Sequence, residues 1–260
     1  MRAVPAPETR PGGPEAPPRG HEARRRELAA VLSEVVVCTR CPRLVDWRGA
    51  AALDPPRRYR DESYWRRPVP GMGDASARIL LVGLAPAAHG GNRTGRVFTG
   101  DRSGDVLFQA LHRAGLASRP TSIQATDGLE LRDLYIAAVN RCAPPDNRPT
   151  PEERDACLPY LARELAALSE VRVVVALGAF AWDGALRAMA AIGQRPQGSR
   201  PRFGHAAEVT VGRYRLLASF HPSQQNTFTG RLTPAMLDAI FERASERARG
   251  FQRRLTPVLR

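Results

Sequence analysis

Not one lysine occurs in the 260 residues of this chain, so all 39 of its basic side chains are arginines. That absence excludes covalent catalysis through a side-chain amine, which needs a lysine able to form a Schiff base. It also excludes a phosphate loop ending in lysine, and no clustered acidic metal ligands stand in for one, so a nucleotide hydrolase lacks both of its usual tools. No apolar run is long enough to span a bilayer, and the N-terminus carries Pro, Gly and Glu where a secretory signal has an apolar core. A soluble, cytoplasmic protein is expected. Cysteine is scarce too, and four cysteines without a secretion signal argue against a disulfide-stapled scaffold.

What the chain has in excess is positive charge. The 39 arginines face 26 acidic residues, which leaves a net charge of +13 and a pI near 11.0. This is the electrostatic footprint of a phosphate binder, and the arginine fork suits bidentate phosphate contacts. The choice of arginine over lysine itself fits the codon bias of a GC-rich genome, and a merely solvated basic surface is the competing reading of the charge.

The length suits one sizeable core. Residues 1–21 are rich in Pro and Gly with almost no bulky apolar side chain, so a disordered tail is expected there. One domain is expected over 22–252. Its first part, 22–77, opens with a helical pattern at Glu22–Val36 and continues as an irregular Arg- and Pro-rich lid. From 78 to 252, strand runs at Arg78–Leu84, Asp133–Val139 and Val171–Leu177 alternate with helical patterns at Gly104–Gly115, Pro151–Leu168 and Phe180–Ile192. Val209–Val211 and Arg213–Phe220 read as a hairpin around Gly212, and Leu237–Ala248 as a closing helix. The alternation implies right-handed βαβ units, and the continuously apolar runs Ile79–Val82 and Val173–Ala176 imply strands covered on both faces. The expected fold class is α/β: a three-layer α/β/α sandwich with a central, mostly parallel sheet.

Two segments carry the chemistry. Gly83 to Gly95 reads Gly-Leu-Ala-Pro-Ala-Ala-His-Gly-Gly-Asn-Arg-Thr-Gly, and His221 to Thr227 reads His-Pro-Ser-Gln-Gln-Asn-Thr. Each follows a strand run, which places both at the carboxyl edge of the sheet, where such sheets bind ligands. Backbone amides of the first loop can approach a polar ligand closely, and His221 can donate to a developing negative charge. Together these segments resemble the two active-site motifs of the uracil-DNA glycosylase superfamily, in particular family 5, the type B branch with an iron-sulfur cluster. The resemblance spans about Val37 to Arg249, implies the same three-layer architecture, and implies an enzyme of base excision repair that hydrolyses the N-glycosidic bond of uracil in DNA.

Cys38 and Cys41 form a C-x-x-C pair, whereas Cys142 and Cys157 stand apart downstream. From spacing alone, zinc with unpaired core cysteines and a [4Fe-4S] cluster both remain open, although zinc usually takes two close pairs. The resemblance implies the cluster, with Cys38, Cys41, Cys142 and Cys157 as its ligands and a structural role in pinning the lid to the sheet.

The resemblance also implies roles in the base pocket. His221 bonds the uracil carbonyl that gains charge, Asn140 reads the Watson-Crick edge of a base flipped from the duplex, and Phe98 stacks on that base. The backbone of Ala85 and Pro86 lines the other side. Where several other branches hold an acidic or amide residue to position water, this chain has Ala85, which leaves Asn92 and Asp101 as the nearby polar candidates; Asp101 and Ser103 also suit helix N-caps. Where the best-known branch excludes thymine with a bulky aromatic, this chain has Ala87, which implies an open pocket that also takes hypoxanthine and xanthine. Ser223, Gln224 and Asn226 lie where the superfamily's loop enters DNA, with Arg231 available for phosphate.

These readings converge on a monofunctional glycosylase acting on double-stranded DNA, associated with the nucleoid, and monomeric because its basic surface must stay free. A noncatalytic, metal-stapled DNA-binding protein would share the charge and the cysteines, and the missing carboxylate at Ala85 is its best argument. It has no reason to bring Asn140, Phe98 and His221 together.

Overall fold

A computed structural model describes residues 19–255. Along the chain come α1 (Arg19–Val36), α2 (Pro42–Leu53), β1 (Met72–Gly73), β2 (Ile79–Gly83), α3 (Gly91–Thr94) and α4 (Arg102–Arg113). They are followed by β3 (Leu134–Ala138), α5 (Pro151–Ala167), β4 (Val173–Leu177) and α6 (Ala179–Ala191). The chain closes with β5 (Glu208–Val211), β6 (Tyr214–Ser219), α7 (Gln224–Phe228) and α8 (Pro234–Leu255). The expected tail lies outside the described residues up to position 18, and α1 already occupies the last three positions assigned to it.

The strands form one sheet in the order β1-β3-β2-β4-β6-β5. Among the described residues its four inner strands are parallel, and only the edge strands β1 and β5 run antiparallel. Successive strand residues serve opposite faces. Leu80, Val82, Tyr135, Val174 and Leu216 pack into a core with α1, α5 and α6. Ile79, Leu81, Ile136, Val175 and Leu217 pack into a second core with α4 and α8. Both faces are therefore covered, which is why these strands read as unbroken apolar runs and why the three-layer sandwich forms. Each fully buried Leu or Phe side chain, such as Leu107, Phe108 and Leu111 of α4, contributes about 1.5–3 kcal/mol.

Local chemistry sets where the helices begin. Asp101 caps α4 by accepting from the Gly104 amide at 2.9 Å. Thr150 and Glu153 form a reciprocal capping box at the start of α5, with Pro151 in the first turn, where its missing N–H costs nothing. The expected closing helix is longer at both ends, spanning Pro234–Leu255. The segment expected to be irregular after the first cysteine pair instead contains α2, which begins directly after Cys41. The buried residues of α2 are Leu44, Arg48 and Ala51, so an arginine occupies the register of an apolar stripe. Among the described residues no helix is long and apolar enough to cross a membrane.

Candidate active site

The order of the strands places a topological switch between β2 and β4: the chain leaves β2 for one side of the sheet and β4 for the other. In sheets of this type, ligands sit outside the carboxyl ends of the strands at that switch. The loops leaving β2, β3, β4 and β6 supply Ala85, Asn140, Gly178 and His221 at this edge.

Ladder bonds continue past the ends of β2 and β3, with Val139 donating to Gly83 O and Asn140 donating to Leu84 O, both at 3.0 Å. Asn140 is thereby fixed beside the first motif. Its side chain is fully buried, and neither amide atom has a hydrogen-bond partner among the described residues. Such orphaned groups are costly, so a buried side-chain amide left bare is a site waiting for a ligand with complementary edges.

Phe98 and His221 come together with ring centroids 6.0 Å apart and planes tilted by 34°. Phe98 has φ of 51°, a left-handed conformation rare for a bulky side chain. Glycines on two sides make room for it: a methyl group on Gly83 would stand 2.7 Å from Phe98 Cζ, and one on Gly104 would strike the Phe98 carbonyl. Gly178, at φ of 91°, likewise passes close to the His221 Cβ. Asn226 Nδ2 donates to His221 O at 2.8 Å and Ser223 caps α7, so the second motif is braced by its own residues. Burial lowers the His221 pKa to about 4, so its imidazole is neutral at physiological pH.

The first motif's loop borders an open cleft of about 280 Å³ that is also lined by Ala87, His89, Asp101, Gln224, Tyr59 and Trp47. Burial raises the Asp101 pKa. Asn92 does not line this cleft: its Nδ2 donates to Arg48 O at 3.1 Å and Ala88 O at 3.3 Å, which ties α2 to the motif loop, while its Oδ1 is buried with no partner among the described residues. Sequence reasoning assigned no role to several groups that hold the lid. Tyr64 Oη meets His89 Nδ1 at 3.0 Å, Trp65 N donates to Arg93 O at 2.9 Å, and Arg93 pairs with Glu62 while its guanidinium lies 4.1 Å from the Tyr59 ring centre. Of these, His89 and Arg93 carried a signal, by standing inside the first motif. Pro86 is buried and Ala85 partly so, in the same loop. Gln224 is exposed, Ser223 and Asn226 serve the turn, and the exposed Arg231 lies 4.5 Å over the Phe220 ring.

The cysteines converge from four elements. Cys38 follows α1, Cys41 precedes α2, Cys142 follows β3 and Cys157 lies in α5, yet all four line one small cavity. Burial pushes the Cys142 thiol up to about 11 and the Cys157 thiol up to about 12, although Arg48 and Arg141 respectively oppose the rise. Arg48 Nη1 donates to Cys142 Sγ at 3.0 Å, and Arg141 N donates to Cys157 Sγ at 3.3 Å. A zinc ion gathers its thiolates about 2.3 Å from one point, and among the described residues no three Cys, His, Asp or Glu are so gathered. Four cysteines around one cavity, with the Arg48 guanidinium and the Arg141 amide donating to two of their sulfurs, are a donor set that suits a cluster of several irons.

Comparisons with known proteins agree with this geometry. The family model of the uracil DNA glycosylase superfamily matches residues 70–245. A type-5 uracil-DNA glycosylase of Mycobacterium tuberculosis is 54% identical over 224 residues, covering 85% of this chain and 81% of that protein. A type-5 uracil-DNA glycosylase of Thermus thermophilus is 50% identical over 214 residues, covering 82% of this chain and 95% of the relative. A type-4 uracil-DNA glycosylase of Thermotoga maritima is 33% identical over 159 residues, covering 60% of this chain and 65% of its own.

Proposed function

Because the chain belongs to the uracil DNA glycosylase superfamily, we propose that its switch-point pocket binds a base flipped out of DNA and releases it by hydrolysis. The protein is a uracil-DNA glycosylase of DNA repair. The observation that carries the site assignment is the buried, unpartnered amide of Asn140, which supplies one donor and one acceptor to a base edge.

In this mechanism the uracil stacks on Phe98 and its edge pairs with Asn140, between the backbone of Ala85 and Pro86 and the ring of His221. Breaking the C1′–N bond leaves the electron pair on the base, and neutral His221 donates a hydrogen bond to the carbonyl oxygen where that charge gathers. Such a donor contributes on the order of 3 kcal/mol to the transition state. Water adds to C1′ and loses a proton. Asp101, three residues after Phe98 in the same loop, is the carboxylate assigned to that water, since Asn92 has no base to offer; its raised pKa makes it a stronger base. The products are free base and an abasic site, and with no lysine in the chain the strand stays intact.

Ala87 leaves the cleft wide enough for hypoxanthine and xanthine. Gln224 and Arg231 meet the backbone of a duplex, with Ser223 and Asn226 shaping the turn between them. Cys38, Cys41, Cys142 and Cys157 hold a [4Fe-4S] cluster, which supplies structural cross-linking when bound. The four cysteines belong to the same glycosylase domain as the sheet, the protein works as a monomer, and its place is the cytoplasm, on the nucleoid. The test is a labelled duplex with one uracil, incubated with the cluster-loaded protein and then treated with alkali. Cleavage after alkali alone is expected; a bound but uncut duplex would instead mark a noncatalytic binding protein.

A further inference from the structure

Arg141 joins Asn140 of the base pocket to Cys142 and has only 1% of its side chain exposed. Its Nη2 donates to Glu164, which is itself fully buried and accepts from Tyr135 Oη at 3.4 Å. The N–H groups on Nε and Nη1 are buried with no acceptor among the described residues. A native interior rarely leaves one charged donor unsatisfied, and here one guanidinium leaves two. The residue lines the cavity on which the four cysteines converge, and its backbone N–H already meets Cys157 Sγ.

We propose that Arg141 is a positioning residue for the iron-sulfur cluster: its Nε and Nη1 groups donate to cluster sulfur, and its charge, anchored by Glu164, stabilises the cluster's negative charge. This inference rests on the cluster assignment. Glu164 holds the guanidinium from behind, so the side chain is already oriented before any cluster is present. Arg141 O also accepts from Val69 N at 2.7 Å, so the same residue ties the lid to the strand end that carries Asn140. Loss of the cluster would therefore loosen the base pocket through one residue. The competing acceptor for the two N–H groups is a buried water.

The test uses full-length, cluster-loaded protein with Arg141→Lys, and with the double variant Arg141→Met and Glu164→Gln, which leaves no unpaired buried charge and so preserves folding. Iron and sulfide per chain, the midpoint potential and the rate of cluster loss in air are measured. Both variants are expected to bind the reduced cluster about tenfold less favourably, relative to the oxidised one, than the parent. That is a fall of about 59 mV for a one-electron couple. Cluster loss in air should be about tenfold faster. A loaded parent whose variants match it in potential and loss rate overturns this inference alone and leaves water as the acceptor. A folded parent without iron overturns the cluster assignment itself.

Discussion

Gly83→Ala places a methyl group where the structure has no space for one. Gly83 ends β2, and the added carbon would stand 2.7 Å from Cζ and 2.8 Å from Cε2 of Phe98. Ordinary contact needs roughly 3.5 Å, so the ring must retreat by most of an ångström. It cannot do so freely, because Phe98 is held at φ of 51° with its carbonyl packed against Gly104. Overpacking of this kind costs about 1–3 kcal/mol, which lowers Tm by roughly 2–12 °C for a domain of this size. Displacing the ring also weakens its stacking on the flipped base, worth about 1–3 kcal/mol, so single-turnover uracil excision should slow about 10- to 100-fold. The assay is a double-mutant cycle with Phe98→Ala. Once the ring is gone the nearest remaining neighbour of the new methyl group is Ala137 O, at an ordinary contact distance of 3.8 Å, and Gly83→Ala should cause almost no further loss of rate. A penalty of the same size in both backgrounds would refute the steric argument.

Two further expectations concern charge and size. At pH 7 His221 is neutral in both folded and unfolded chains, but its folded pKa of about 4 lies below the ordinary 6.5. The unfolded state therefore takes up its proton first as pH falls. Stability should drop by about 3 kcal/mol between pH 6.5 and 4, and His221→Gln should flatten that slope in acid-denaturation curves while slowing excision about 100-fold at pH 7. Equal slopes in the two proteins would place the imidazole in water instead. Ala87→Tyr fills part of the cleft and should abolish release of hypoxanthine while leaving uracil excision within about tenfold; parallel loss of both substrates in a base-release assay would show that Ala87 does not set the breadth.

The sandwich was legible because its four inner strands are buried on both faces, so the apolar runs at 79–83, 134–138, 173–177 and 214–219 stand out against polar loops. The lid was not. In α2 the middle of the buried stripe is Arg48, which serves Cys142 and is fixed by Asn92, so apolar periodicity fails where the helix is stabilised by polar partners. α3 and α7 are too short to show a period, and β1 is two residues long. The family resemblance pointed to Asn140, Phe98 and His221, which the fold gathers at one edge. It could not separate Asn92 from Asp101, because which of two nearby polar residues reaches the cleft depends on the loop's path. Nor does any pattern in the sequence mark Arg141, whose meaning lies in the two buried side-chain nitrogens, Nε and Nη1, that find no acceptor among the described residues.

The most direct measurement is single-turnover uracil excision by Asn140→Ala, paired with its duplex affinity and its thermal stability. The buried side-chain amide of Asn140 has no partner among the described residues, so its loss should leave stability unchanged or slightly raised and affinity within about twofold, while excision slows about 100-fold or more. An unchanged rate, or a stability loss of the about 1–3 kcal/mol expected when a satisfied buried amide is removed, would contradict the assignment of this pocket to the flipped base.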